Sequence, residues 1–103
     1  DVKPENIALD AQGRCLKLLD FGCVAGFDAI IPKPRGTMPF MGPEVLLAVQ
    51  CGGYAPGPAD VWAAGVVLLE MAAGVGTMNR ALGWPTHVEV APQAGEDLFA
   101  FLS

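Results

Sequence analysis

The sequence predicts an α+β fold that is mainly α, and three observations carry that expectation. The nine residues 61–69, inside DVWAAGVVLLEMAAG, are an unbroken apolar run apart from one Gly, too short for a bilayer span and of a length that suits a buried helix. Two short apolar stretches, 7–9 and 15–19, flank DAQG, whose Asp and Gly suit a tight turn and so a small β-hairpin. Residues 23–44 hold four prolines and three glycines with no helical or strand period, which marks a long functional loop.

Composition sets the frame for these elements. At 103 residues the chain is at most one small domain, and 52% hydrophobic against 17% charged residues is the make-up of a chain that builds a core. The net charge of −5, with six scattered Lys and Arg, offers no basic stripe, so nucleic acid is excluded as an expected partner. No stretch is long enough to span a membrane. Three cysteines, Cys15, Cys23 and Cys51, form neither a CxxC pair nor a Cys/His cluster, which points away from a disulfide framework or a zinc site. Reduced cysteines suit an intracellular, cytoplasmic location.

Along the chain, residues 1–6 (DVKPEN) lead into the hairpin at 7–19, which is followed by the loop at 20–44. EVLLAV, after the loop, reads as one or two helical turns. The central buried helix is expected at 60–73, with Asp60 complementing its first turn and Gly74 ending it. Apolar on nearly all faces, it is expected to be covered all round. Residues 74–103 read as loop with a short helix near Met78–Leu82 and a final amphipathic helix at GEDLFAFLS.

The hairpin brings its two ends together, so Asp1, Asn6 and Asp20 can converge on one small site with Lys3 beside them. Few, hard oxygen ligands suit Mg²⁺, which keeps waters and completes its shell with substrate phosphates. That combination fits phosphoryl transfer, in which charge neutralisation and positioning do most of the catalysis. His87 reads as a surface or loop residue, Cys23 as a small packed residue and Asp28 as a solvated carboxylate.

Four segments carry a family resemblance. DVKPEN resembles the catalytic loop of eukaryotic protein kinases from its Asp onward, LLDFG their Asp-Phe-Gly segment, GTMPFMGPE their substrate-docking loop, and YAPGPADVWAAGVVLLEM their central helix. The four occur in family order over roughly residues 1–74. The resemblance implies a partial C-terminal lobe, with hairpin, activation loop and buried central helix but no N-terminal lobe, as part of a longer polypeptide. It implies a protein serine/threonine kinase using ATP and Mg²⁺, with a protein Ser/Thr substrate and a possible regulatory protein partner. Lys3 and Thr37 are the residues that serine/threonine members have. A pseudokinase or scaffold with this fold, or an inactive truncated product, is the alternative.

By the same resemblance, Asp1 accepts or orients the proton of the attacking hydroxyl, and Lys3 neutralises the γ-phosphate. Asn6 and Asp20 hold Mg²⁺, while Phe21 and Gly22 set the loop's conformation beside the cofactor. Gly36, Thr37 and Phe40 dock the substrate, with Thr37 bonding near Asp1 and Lys3. Glu44, Asp60 and Trp62 are structural: Glu44 pairs with a later Arg, and Asp60 anchors the catalytic-loop backbone. Gly42 stands where the family has Ala in its Ala-Pro-Glu triplet. Between Gly22 and Glu44 the only Ser, Thr or Tyr is Thr37.

Overall fold

The computed structural model describes residues 1–84. Its elements are β1 (Ile7–Leu9), β2 (Leu16–Leu18), α1 (Pro43–Leu46), α2 (Ala48–Cys51), α3 (Pro56–Ala73) and α4 (Thr77–Leu82). A single 3₁₀ turn, Pro4–Asn6, precedes β1. The expected final helix, and His87 with it, lie outside the described residues.

The hairpin forms where the turn residues place it. β1 and β2 pair antiparallel, with Ile7 opposite Leu18, Ala8 opposite Lys17 and Leu9 opposite Leu16. Asp10 organises the turn: its Oδ1 accepts the N–H groups of Arg14 at 2.7 Å and Cys15 at 3.1 Å. Gly13 takes a positive φ of 66°, which a residue without Cβ adopts at little cost. Beyond β2, the Leu19 N–H donates to the Asn6 carbonyl at 2.8 Å, so the chain leaves the hairpin alongside the segment that entered it.

α3 starts at Pro56, four residues before the expected position 60. The first-turn amides of a helix have no intrahelical acceptor, so Pro56 forfeits nothing at the first helical position. Asp60 therefore sits inside the helix. The expectation of burial all round is not met among the described residues: Ala63, Val66 and Glu70 are buried, a stripe at helical spacing, whereas Val61, Leu68, Leu69 and Met71 are exposed.

The core gathers on that stripe. Phe40 and Met41 from the end of the loop, Val45 and Leu46 from α1, Ala48 from α2 and Met78 from α4 cluster with Ala63 and Val66, and Val45 is fully buried. Ile31 and Tyr54 extend the cluster across an isolated antiparallel bridge. No helix among the described residues is long and apolar enough to cross a membrane.

At the far end of α3, the carboxylate of the buried Glu70 accepts the Gly76 N–H at 2.9 Å, closing the turn into α4. Arg80 reaches back from α4 to the Val75 carbonyl at 2.9 Å. Sequence reasoning missed Glu70. The available signal was a lone acid inside an apolar helix, four residues before a helix-ending Gly.

Candidate active site

The 3₁₀ turn shapes the opening segment. Pro4 begins the turn, the Asn6 N–H closes it on the Lys3 carbonyl at 2.9 Å, and the buried Asn6 amide donates from Nδ2 to the Asp1 carbonyl at 2.8 Å. Asn6 thus holds the backbone that carries Asp1, and its Oδ1 remains the acceptor end of the amide.

Asp1, Lys3 and Thr37 form a closed triangle. Lys3 Nζ lies 2.9 Å from Asp1 Oδ2 and donates to Thr37 Oγ1 at 2.7 Å, while the Thr37 hydroxyl donates to Asp1 Oδ1 at 2.9 Å. The Lys3 and Asp1 side chains are only 20% and 15% exposed, so the pair is shielded more than a typical surface salt bridge. Thr37 reaches it from 34 residues along the chain from Lys3. The turn that presents it is closed by the Phe40 N–H donating to the Thr37 carbonyl at 2.9 Å.

Asp20 stands at the other end of the hairpin, with a positive φ of 57° that Asp tolerates better than most residues. Its Oδ1 accepts the Gly22 N–H at 3.1 Å, closing a side-chain turn. Asp1, Asn6 and Asp20 line one open cleft of about 180 Å³, which Phe21, Cys23 and Asp60 also border. Among the described residues no three His, Cys, Asp or Glu side chains gather as a metal cage. The donor set is instead one amide oxygen and one carboxylate, which fits a Mg²⁺ that keeps waters and phosphate oxygens as its other ligands.

Other expected site residues stand differently. Gly36 has a φ of 128°, and a Cβ there would meet the Met41 side chain at 3.1 Å, so the position favours glycine. Phe40, expected at the docking surface, is buried in the core, because the turn at 37–40 directs it under the loop rather than out of it. Glu44 folds back on Gly42: a Cβ at Gly42 would lie 2.6 Å from Glu44 Oε2. Among the described residues no ion pair involves Glu44. Asp60 is exposed and borders the cleft, and no hydrogen bond joins it to residues 1–6 among those described. Trp62 packs against the core with its indole N–H shielded from solvent and without an acceptor among the described residues.

The family model described as protein kinase domain matches residues 1–84. The chain is 39% identical over 79 residues to the serine/threonine-protein kinase grp of Drosophila melanogaster, covering 72% of this chain and 14% of that protein. It is 42% identical over 82 residues to CBL-interacting protein kinase 29 of Oryza sativa subsp. japonica, covering 79% of this chain and 18% of that protein. To the serine/threonine-protein kinase CHK1 of Saccharomyces cerevisiae it is 39% identical over 80 residues, covering 72% of this chain and 15% of the relative. The chain thus spans less than a fifth of the length of each of these relatives. No solved structure matches it. The match across residues 1–84, over the same segments that build the triangle and the cleft, means that the chain belongs to the protein kinase family.

Proposed function

We propose that the chain is the C-terminal-lobe portion of a protein serine/threonine kinase that transfers the γ-phosphate of ATP to a protein hydroxyl with the help of Mg²⁺. The observation that carries this reading is the Asp1–Lys3–Thr37 triangle beside a cleft lined by Asn6 and Asp20. The serine/threonine part is supported by Lys3 and Thr37 themselves, bonded at 2.7 Å, and by the names of the relatives.

Each residue's role follows from its unused bonding capacity. An ionised carboxylate has about four acceptor sites. Thr37 and Lys3 occupy two on Asp1, leaving room for the hydroxyl of an incoming Ser or Thr. Asp1 orients that hydroxyl and takes its proton as the substrate oxygen bonds the γ-phosphorus and the bond from that phosphorus to the ADP oxygen breaks, with ADP as the leaving group. Lys3 has three donors, of which Thr37 and Asp1 take two, so one is left for a phosphoryl oxygen. Asn6 Oδ1 and Asp20 would hold the Mg²⁺. When bound, Mg²⁺ with ATP supplies the transferable phosphoryl group and the positive charge that neutralises its oxygens. Thr37 keeps Asp1 and Lys3 at a fixed separation, so that the positioning exists before substrate arrives.

The test uses the full-length polypeptide that carries this chain, radiolabelled ATP and a protein substrate. Asp20→Asn should abolish Mg²⁺-dependent transfer, and Asp1→Asn should lower it by roughly 10²–10⁴-fold, with circular dichroism unchanged. Undiminished transfer in both variants sinks the assignment.

A further inference from the structure

The loop at 23–44 is long, yet one point in its middle is fixed to the rest of the molecule. The Ile31 N–H donates to the Tyr54 carbonyl at 2.9 Å, and the Tyr54 N–H returns to the Ile31 carbonyl at 3.0 Å. Both side chains are buried in the core cluster. Ile31, Arg35 and Tyr54 also border one small cavity beneath the loop, together with Asp1 and Thr37. The bridge residues and the Asp1–Thr37 pair therefore line the same cavity.

Gly53 makes the bridge possible. Its φ of 110° is one that residues with a side chain rarely adopt, and a Cβ there would lie 2.9 Å from the Ile31 carbonyl oxygen and 2.6 Å from Ile30 Cγ2. The neighbouring Gly52 also has a positive φ, of 78°, but a Cβ there meets nothing within 4 Å. Both positions have positive φ, that of Gly53 the further from the left-handed region that side chains tolerate, and close approach to the loop belongs to Gly53 alone.

The same loop offers no place for a regulatory phosphate. Loops of this kind are ordered in many kinases by phosphorylating a residue within them. Between Gly22 and Glu44 the single hydroxyl is Thr37, whose Oγ1 is already engaged by Lys3 at 2.7 Å and by Asp1 at 2.9 Å. A phosphate on it would set about −1.5 to −2 charges against the Asp1 carboxylate.

We propose that the Ile31–Tyr54 backbone bridge, permitted by Gly53, is a latch that holds the substrate-framing loop in its working conformation without phosphorylation. The proposal rests on the reading of residues 20–44 as the loop that frames the substrate of a kinase. In consequence no covalent mark in this loop is needed to order it.

Limited trypsin digestion of the full-length polypeptide tests the latch without needing catalysis. Lys33 precedes Pro34, a bond that trypsin does not cut, so Arg35–Gly36 is the one tryptic bond between residues 23 and 44. In phosphatase-treated wild type this bond should be protected, and transfer activity should equal that of untreated protein. Gly53→Ala should raise cleavage there by roughly tenfold and lower transfer, whereas Gly52→Ala, at the adjoining positive-φ glycine that does not approach the loop, should leave both within about twofold. Ile31→Pro removes one bridging N–H by a different change and should behave like Gly53→Ala. Cleavage of dephosphorylated wild type as fast as Gly53→Ala, or a loss of activity on phosphatase treatment that phosphorylation of Thr37 restores, overturns the latch. Protection of wild type with no transfer to any protein hydroxyl leaves the latch standing and fails the kinase reading instead.

Discussion

Two glycines that look alike in the sequence separate at the scale of single residues. A Cβ on Gly42 would meet the Glu44 carboxylate, the far end of a side chain that can swing away, and Gly42 has an ordinary φ of −72°. A Cβ on Gly53 would meet a backbone carbonyl, which cannot move without taking the loop with it. Gly42→Ala should therefore cost less than about 1 kcal/mol in thermal unfolding of the full-length polypeptide, and leave transfer near wild type. A loss above about 2 kcal/mol would show that the Glu44 position against Gly42 is itself structural. The residues of the Asp1–Lys3–Thr37 triangle were legible only through the order of the four motifs, because no local pattern links Lys3 to Thr37. Phe40 shows the limit of that route. The motif says that the loop docks substrate, but which of its side chains turn inward is decided by the turn at 37–40 and the core beneath it.

Elements show the same division between local and distant causes. The hairpin was readable because its register and turn depend on a dozen consecutive residues, and Asp10 gives that turn a pH dependence. The N–H of Cys15, then that of Arg14, hold the Asp10 carboxyl below its ordinary value. A carboxyl whose pKa is lower in the folded state contributes stability above its unfolded value of about 3.9, and that contribution is lost as pH falls through the folded value. Hydrogen-exchange protection of the Arg14 and Cys15 amides in the full-length polypeptide should thus weaken on acidification below about pH 4, and Asp10→Asn should remove that dependence. Unchanged protection through acid would refute it. The start of α3 lies four residues before the expected one, because Pro56 and Pro58 fit a first helical turn and Asp60 does not mark it. Glu70, at the other end, is the anchor of the turn into α4. Glu70→Ala, which leaves the Gly76 N–H without its acceptor, should lower unfolding free energy by about 1–3 kcal/mol, and Glu70→Gln, which keeps an acceptor, by less than half as much. Equal losses for both would assign the effect to charge and not to the hydrogen bond.

At the scale of the whole molecule, the apolar excess that predicted a core meets too little cover among the described residues. Pro4, Ile7, Leu9 and Leu16 from the opening turn and hairpin face Val67, Met71 and Val75 from α3 and its exit across an open groove of about 320 Å³, with polar lining from Glu70. Leu9, Leu16, Met71 and Val75 are 60–80% exposed, where a stable monomer would keep such neighbours dry. The hairpin adds little stability of its own, since a two-stranded ribbon is marginal in water without a packed face. A chain with that groove uncovered buries its core on one side of α3 only, so the remaining apolar face favours self-association over cooperative folding. The 103-residue chain, made by itself, should therefore bind a hydrophobic dye at neutral pH, sediment as aggregate at micromolar concentration and melt broadly. Leu16→Lys with Met71→Lys should reduce both dye binding and sedimentation, because the two charges stand on opposite walls of the groove. A sharp, reversible transition of a monomer, with dye binding no higher than in the double variant, would mean that the groove is covered from within the chain, and that α3 needs no further partner to fold.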